Sequence, residues 1–412
     1  MSPRPLGLWS AIALVAGNMI GSGVFLLPAS LAPYGAVSLI GWGITLGGAL
    51  LLALTFSRLA ARNARAGGPY AYAREAFGDT TGFIIAWSYW ISIWCANAAI
   101  AVAFAGSLGS LFPALVATPI RGAALALGAL WLCAAVNLAG VREAGRMQII
   151  TTVLKLLPLL LFGGIAIWWI EPHYLQPTVE TAASDTPMSM ASTIHATVAL
   201  TLWAFLGLEA ATIPAGAIHD AERTIPRATL IGTLLAGIAT ILACTAVLGL
   251  LPPDVANGST APMADAAKAL WGPAAGAGIA VVAAISCIGA LNGWVLLSAQ
   301  LPMAAAHDGL FPQAFAALDA RGTRRAGILV STVQAGLLVV ANYTDSLVTV
   351  FTFSILLSTA ATLLPYVFSS AAWLKLGKRG RIVAQGSPEQ VAKQRGKSHT
   401  AKVLHAFLQE RS

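Results

Sequence analysis

The chain has 412 residues, of which 57% are hydrophobic and 10% are charged, and its formal net charge is +8. A soluble domain carries about 25% charged residues, so this composition excludes a water-soluble fold and indicates a polytopic membrane protein. The basic residues lie in short loops between apolar segments, which is typical of membrane topology and not of nucleic acid binding. The four cysteines lie in apolar segments without CxxC spacing, which predicts buried hydrophobic side chains and no disulfide, metal or cofactor.

Ten apolar segments approach the roughly 20 residues that a membrane-spanning helix needs. They cover about 8–31, 37–57, 81–112, 120–141, 147–169, 192–217, 227–251, 273–304, 326–343 and 346–374. The first segment follows Arg4 and has no small-residue cleavage site, so we expect a retained helix and not a removed signal peptide. The predicted fold class is therefore all-α, with ten transmembrane helices.

The basic residues also predict the orientation. If the N-terminus is cytoplasmic, most Lys and Arg residues fall on the cytoplasmic side, and the outer loops hold only Arg121 and Lys268. Because positively charged loops stay inside, we expect both termini to be cytoplasmic.

Residues 17–23, with the sequence GNMIGSG, interrupt the first segment near its middle. Glycine weakens a helix, and opened backbone is tolerated in a membrane only where protein or a water-filled cavity surrounds it. An interrupted helix at mid-depth points to the substrate site of a secondary transporter. The alternative is that Gly17 and Gly21 form only a close-packing seam between helices.

The sixth segment is interrupted as well, at residues 203–210, WAFLGLEA. Spans one and six of ten run antiparallel, as an inverted repeat of five plus five helices requires. We therefore predict a LeuT-like transporter core at 1–376, with repeats at about 8–169 and 192–374 and with discontinuous helices 1 and 6.

A helix that starts at mid-membrane presents free N–H groups, and a helix that stops there presents free carbonyls. The N–H groups of Ser22 and Gly23, with the Ser22 hydroxyl, suit a carboxylate. The carbonyls of Met19, Trp203 and Leu206 suit an ammonium. Together these groups predict a receptor for an α-amino acid zwitterion; the alternative for Ser22 is a hydroxyl bonded back to its own helix.

Two ionisable residues lie well inside apolar segments. Glu209 is a candidate proton carrier, because a charge at mid-bilayer costs at least about 2–3 kcal/mol and usually marks function. Its alternative role is to accept a hydrogen bond from a neighbouring hydroxyl or water. Lys155 either fills a place that a sodium ion takes in related folds, pairs with Glu209, or reaches a membrane face with its long side chain.

Four further side chains have both a functional and a structural interpretation. Trp203 and Trp294 present indole faces that hold cations by cation–π attraction, or they only pack. Asn97 and Ser358 are single polar groups in apolar segments, which either face the substrate or bond neighbouring helices.

Several segments carry a resemblance to a known family: GNMIGSGVF at 17–25, GGPYAYAR at 67–74, LWAFLGLE at 202–209, DGLFP at 308–312 and LPY at 364–366. Over about residues 7–376 the chain resembles the amino acid–polyamine–organocation transporters. Within them it is most similar to the bacterial arginine/agmatine antiporters and their basic amino acid and polyamine relatives.

The resemblance implies alternating access in the bacterial inner membrane and the substrate contacts already named. It implies that Trp294 stacks on the guanidinium, with Asn97 and Ser358 beside it. It also implies that four residues lie at gating positions: Tyr89, Trp203, Glu209 and Tyr366. Among them, Glu209 matches the pH-sensing carboxylate.

The chain departs from the family in three places. Ile93 stands where the antiporter has a small polar group, and Lys155 resembles a lysine of proton-coupled and neutral amino acid carriers. The family usually has twelve spans, and here the polar, basic tail 377–412 replaces the last two. Dimer contacts are usually assigned to those two spans, so whether this chain forms a homodimer stays an open question.

Residues 380–404 resemble the end of a DNA-excision-repair ABC ATPase subunit. This resemblance indicates a gene fusion or frame disruption; the alternative is a solvated tail without a role.

We expect a secondary transporter that exchanges a cationic amino acid for its decarboxylated amine, arginine for agmatine. The alternatives are a proton-coupled or exchanging carrier of neutral amino acids and, in another class, a channel or membrane scaffold. No HExxH, GxSxG, Walker or GxGxxG motif occurs, so we predict no catalytic residue and no enzyme activity.

Overall fold

The computed structural model of the chain describes residues 5–178, 190–259, 261–318, 325–341 and 347–377. In these ranges the regular elements are α-helices and short 3-10 segments, with one isolated parallel bridge between Leu6 and Ile218. The helices are α1 Leu8–Met19, α2 Gly23–Leu31, α3 Val37–Arg62, α4 Pro69–Phe77, α5 Asp79–Leu111, α6 Pro119–Ala139, α7 Val141–Ala166, α8 Met190–Leu202, α9 Ala221–Leu250, α10 Pro253–Gly258, α11 Pro262–Trp271, α12 Pro273–His307, α13 Arg325–Ala341 and α14 Leu347–Gly377.

Nine helical segments of the described residues are long and apolar enough to cross a membrane. They are Leu8–Tyr34, Val37–Arg62, Asp79–Leu111, Pro119–Ala139, Val141–Trp169, Met190–Thr212, Ala221–Leu250, Pro273–His307 and Leu356–Leu376. The predicted span at 326–343 corresponds to α13, a shorter apolar helix of 17 residues. The all-helical membrane class is confirmed, and the count of ten spans stays a prediction.

Large apolar side chains are exposed on the outward faces of these helices. Leu51 of α3 is 67% exposed and Leu356 of α14 is 64% exposed. Contiguous apolar surface of this kind is unfavourable in water and suits the hydrocarbon core of a bilayer. The exposed apolar surface therefore supports the class that the composition indicates, a polytopic membrane protein.

Helix α1 lies at the centre of the helices, against α7, α9 and α12. Glycines permit these close approaches. A Cβ on Gly232 of α9 would lie 2.7 Å from the Cβ of Val15, and a Cβ on Gly17 would lie 2.2 Å from the side-chain nitrogen of Gln148. Gly17 therefore lies where two helices pack closely, which is what the alternative interpretation of residues 17–23, a close-packing seam between helices, predicts for this position.

The short helix α4 is tied to the end of α12 by polar contacts. Arg74 Nη1 lies 2.8 Å from Asp308 Oδ1, and the Tyr70 hydroxyl donates to Asp308 Oδ2 at 2.7 Å. Burial and the bond to the Asp308 carboxylate raise the pKa of Tyr70, so its hydroxyl stays a donor at neutral pH. The backbone before α4 joins this arrangement to the site, because Gly67 N–H donates to Ile213 O at 2.9 Å.

Replacing Asp308 with alanine is expected to lower the unfolding temperature in detergent by about 1–3 °C. The change removes the partner of two α4 side chains at a half-exposed site, where such contacts contribute about 0.2–1 kcal/mol. Thermal unfolding measures the shift. The control Glu75→Ala removes the bond from Asn63 to an exposed α4 carboxylate and should have a smaller effect. Equal shifts for the two variants would contradict the account of α4.

Residues 1–372 form one compact unit and residues 373–412 form a second. The residues discussed below belong to the first. The predicted tail 377–412 lies outside the described residues, apart from Gly377.

Candidate functional site

The backbone between α1 and α2 is not helical. Helix α1 ends at Met19 and α2 begins at Gly23. Ile20, with φ −83° and ψ 83°, lies outside the helical region, and Gly21 N–H donates to Met19 O at 3.1 Å. The stretch 20–22 is buried, so its main-chain groups need partners inside the protein.

The backbone after α8 is irregular as well. Helix α8 ends at Leu202 and is followed by 3-10 segments at Trp203–Phe205, Ala210–Thr212 and Ala215–Ala217. Gly207 has φ +101°, a conformation that favours glycine. A Cβ at this position would lie 3.2 Å from both Asn18 and the Trp294 ring, so the chain passes close to α1 and α12 here.

The two irregular stretches meet at a small cavity of about 20 Å³, which is room for about one water molecule. A larger molecule would therefore enter only if the cavity walls moved. No residue in the lining carries a formal charge. The lining residues are Asn18, Met19, Gly21, Ser22, Gly23, Ala96, Ile100, Trp203, Leu206, Trp294, Ser358 and Thr362.

Seven of the eight predicted substrate-binding residues line this cavity, and Asn97 does not. Asn97 is fully buried on α5, beside the lining residue Ala96, and in the described part of the chain neither polar atom of its side chain has a hydrogen-bond partner. Ile93, the apolar departure from the family pattern, is also fully buried and outside the lining.

The start of α2 presents the polar groups that suit a carboxylate. Among the described residues the buried Ser22 hydroxyl has no hydrogen-bond partner, so the alternative bond back to its own helix is not found. The first N–H groups of a helix have no acceptor inside it. Gly23 lies against the Trp203 ring, because a Cβ there would lie 2.7 Å from the ring atoms Cδ1 and Nε1.

Lys155 of α7 is fully buried against the broken end of α1. Its ammonium donates to Gly17 O and Ile20 O, each at 2.5 Å, and the Ser286 hydroxyl also donates to Ile20 O at 3.1 Å. These donors satisfy carbonyls that the end of α1 leaves free. Of the three interpretations of Lys155, neither pairing with Glu209 nor reaching a membrane face is found among the described residues. The side-chain nitrogen lies instead at the end of α1, where it donates to main-chain carbonyls.

Glu209 joins the irregular stretch after α8 to two other helices. The Tyr89 hydroxyl of α5 donates to one carboxylate oxygen, and the Tyr366 hydroxyl of α14 donates to the other at 2.5 Å. The Tyr366 oxygen also accepts the Gly207 N–H at 3.3 Å. A proton on Glu209 would turn one of these oxygens into a hydroxyl, which is a weaker acceptor than a carboxylate oxygen, so the bond from one tyrosine would weaken. The contacts therefore suit both a structural acceptor and a carboxyl whose protonation loosens the contact.

Sequence reasoning missed two polar residues of the lining, Asn18 and Thr362. Thr362 follows Ser358 by four residues and so lies on the same helix face, which is a signal that the spacing contained. Asn18 lies inside the glycine-rich stretch, and nothing in the sequence distinguished its side chain from the neighbouring main-chain groups.

The sequence has clear relatives among known proteins. A sequence model of the amino acid permeases matches residues 6–387. The cadaverine/lysine antiporter of Escherichia coli (strain K12) is 35% identical over 336 residues, 81% of this chain and 74% of the relative. A putative arginine/ornithine antiporter of Bacillus subtilis (strain 168) is 32% identical over 92% of this chain and 86% of the relative. The putrescine transporter PotE of Escherichia coli (strain K12) is 30% identical over 92% and 85%.

The fold also resembles a solved structure, the substrate-bound outward-open state of a Na+-coupled sialic acid symporter. The TM-score is 0.61, with 13% identity over 88% of this chain and 78% of that one, and at this identity the likeness concerns the fold alone. The relatives named above are transporters, and the chain is a transporter and not an enzyme. Because the family model matches residues 6–387 and a relative is 35% identical over 81% of the chain, the chain belongs to the amino acid permease family of the amino acid–polyamine–organocation superfamily.

Proposed function

We propose that the chain exchanges a cationic amino acid for its decarboxylated amine across the bacterial inner membrane, by alternating access. The cavity between the two irregular stretches is the observation that carries this proposal. It brings a partnerless hydroxyl at Ser22 and the start of α2 together with the end of α1 and with two indole rings, Trp203 and Trp294. These are the groups that recognise a carboxylate, an ammonium and a cationic side chain.

The proposed contacts use the main chain. The α-carboxylate is held by the N–H groups of Ser22 and Gly23. The α-ammonium is held by the carbonyls of Met19, Trp203 and Leu206. The Met19 and Trp203 carbonyls each accept one internal hydrogen bond, and a carbonyl oxygen has a second lone pair for the substrate.

Exchange follows from the chemistry of the two substrates. The amine lacks the carboxylate, so it forfeits the contacts at Ser22 and Gly23 and keeps the cation contacts. The amino acid gains those contacts but carries an additional charge into the membrane. One pocket therefore holds both molecules at comparable strength, which is the condition for exchange.

The proposal includes the arrangement of the helices in the membrane. The five-plus-five inverted repeat pairs the break between α1 and α2 with the break after α8, and both chain ends face the cytoplasm. In this arrangement Lys155 supplies the positive charge at the α1 end, so exchange needs no sodium ion.

Counterflow in liposomes tests the function. Vesicles that contain the purified protein are loaded with arginine or lysine, and labelled arginine, lysine, ornithine, agmatine, cadaverine, putrescine or leucine is offered outside. We expect exchange of a cationic amino acid with its own amine, with the arginine and lysine pairs as separate arms. Exchange of leucine and of no amine would contradict the substrate class and favour the neutral amino acid carrier.

Replacing Glu209 with glutamine is expected to flatten the pH dependence of exchange. An amide accepts from only one of Tyr89 and Tyr366 through its oxygen and cannot take up a proton, so the variant mimics the protonated carboxyl at every pH. Counterflow from pH 5 to pH 8 measures the profile. The control Glu143→Gln changes an exposed carboxylate that pairs with Arg146 and should leave the profile unchanged. A Glu209→Gln profile identical to that of the unmodified protein would remove the proposed protonation role.

A further inference from the structure

Helices α6 and α13 touch at one level and leave a groove at another. A Cβ on Gly336 of α13 would lie 3.3 Å from Leu127 Cδ2 of α6, so the two helices are in close contact there. The groove has a volume of about 330 Å³ and is lined by Ala135, Leu138, Ala139, Arg325 and Leu329. Because Ala139 ends α6 and Arg325 begins α13, the helices are antiparallel. Arg325 lies about 17 Å along α13 from the contact at Gly336.

The groove opens toward the surface that faces the bilayer. The neighbouring side chains on both helices are apolar and exposed, since Leu132 of α6 is 56% exposed and Leu337 of α13 is 61% exposed. Ala135 and Ala139 are themselves exposed and are spaced by four residues, so they lie on one face of α6. In membranes, such small residues normally let two helices pack closely. Here α13 does not fill the space that the two methyl groups leave.

The size and lining of the groove fit a lipid chain. Its volume equals that of about eleven water molecules at about 30 Å³ each, whereas protein interiors rarely leave voids larger than one water molecule. Four of the five described lining residues are apolar, so water in the groove would find few hydrogen-bond partners. Hydrocarbon needs none, and the bilayer supplies it.

The end of the groove carries positive charge. Arg325 lines the groove at the first residue of α13, where the helix leaves the apolar span. Arg142, which is exposed at the start of α7, follows Ala139 by three residues. None of the described lining residues is acidic. A guanidinium binds phosphate oxygens in a bidentate manner, and basic pockets between membrane helices bind anionic lipid headgroups.

We propose that this groove between α6 and α13 binds a phospholipid with an anionic headgroup. One acyl chain lies along Ala135 and Ala139, and the phosphate lies on Arg325. The bound lipid fills the space between the two helices where they separate. This inference goes beyond transport and does not depend on the identity of the transported substrate.

The charge favours a lipid over a second copy of the chain. Most dimers are two-fold symmetric, so the same patch of each subunit meets itself. A dimer built on this groove would bring the two Arg325 guanidinium groups together at the edge of the membrane, where like charges repel. A lipid phosphate instead neutralises the guanidinium.

Native mass spectrometry of the purified full chain tests the groove, with phosphatidylglycerol and phosphatidylcholine of identical acyl chains as the probes. We expect phosphatidylglycerol to bind about fivefold more tightly, which is the effect of one arginine on an anionic lipid. Arg325→Gln should lower phosphatidylglycerol affinity about fivefold and leave phosphatidylcholine affinity unchanged. Ala139→Leu fills the groove and keeps its charge, so it should lower the affinity for both lipids about threefold.

Each variant has a matched control. Arg227→Gln removes an exposed arginine of α9, and Ala124→Leu enlarges an exposed alanine of α6; neither residue lines the groove. Both controls should bind the two lipids as the unmodified protein does. The controls separate the groove from the general attraction of a basic protein for anionic lipids and from the effect of a larger side chain on the surface.

Three results would overturn the inference. Equal affinity of the unmodified protein for the two lipids would remove the role of Arg325. Unchanged lipid binding by Ala139→Leu would show that the lipids bind elsewhere on the surface. A dimer that Ala139→Leu dissociates would show that the groove holds a second copy of the chain. Each of these results leaves the proposed exchange function standing, because counterflow measures that function separately.

Discussion

Replacing Gly23 with alanine is expected to lower the affinity for the amino acid substrate about a hundredfold. The new Cβ would lie 2.7 Å from Cδ1 and Nε1 of Trp203, so the ring or the start of α2 must shift. Overpacking of this kind costs about 1–3 kcal/mol, and a displaced N–H loses a hydrogen bond to a charged carboxylate, worth about 1.5–3 kcal/mol. Binding of a labelled amino acid to the purified protein measures the loss.

Two comparisons make the Gly23 result specific. The amine substrate lacks the carboxylate and should lose less affinity than the amino acid. Gly47→Ala places the same methyl group on an exposed face of α3, where nothing lies within 4 Å, and should leave binding unchanged. Amino acid affinity that survives Gly23→Ala would contradict the carboxylate site at the start of α2.

Replacing Lys155 with methionine is expected to reduce exchange at least about a hundredfold. Methionine keeps the length of the side chain but donates no hydrogen bond, so Gly17 O loses its side-chain donor and Ile20 O keeps only the Ser286 hydroxyl. An unsatisfied buried carbonyl costs about 1–3 kcal/mol, and the end of α1 would no longer be held open at the cavity. Counterflow measures the loss, and thermal unfolding reports how much of it reflects stability.

Thr152→Val is the matched control for Lys155. Thr152 lies on the same face of α7, and its hydroxyl donates to Ala13 O of α1 at 3.1 Å. That carbonyl keeps a second donor, the Gln148 amide at 3.2 Å. Loss of the Thr152 hydroxyl should therefore change exchange less than about threefold. Wild-type exchange by Lys155→Met would show that the ammonium is not needed at the α1 end.

The course of α1 and α2 could be predicted in part from the sequence. Glycine at 17, 21 and 23 marks backbone that opens easily, and α1 ends at Met19 while α2 begins at Gly23. The sixth segment follows the same pattern up to a point. The sequence predicts an interruption of the span 192–217 at residues 203–210, and the α-helix ends at Leu202. The 3-10 segments that follow could not be predicted, because hydrophobicity records burial and not the pitch of the backbone.

The partners of the buried polar groups could not be predicted, because they depend on which helices pack together. The charge of Lys155 marks it in an apolar span, but its role depends on the packing of α7 against the end of α1. The charge of Glu209 marks it in the same way. Its partners Tyr89 and Tyr366 lie on α5 and α14, and only the family resemblance points to them in the sequence.

The most direct test is an experimental structure of the protein with its amino acid substrate bound. We expect α1 and α2 to remain separate helices, with the substrate carboxylate within hydrogen-bond distance of the N–H groups of Ser22 and Gly23 and the side-chain cation beside Ser358. A continuous helix through residues 20–22, or a substrate bound away from the ends of α1 and α2, would contradict it.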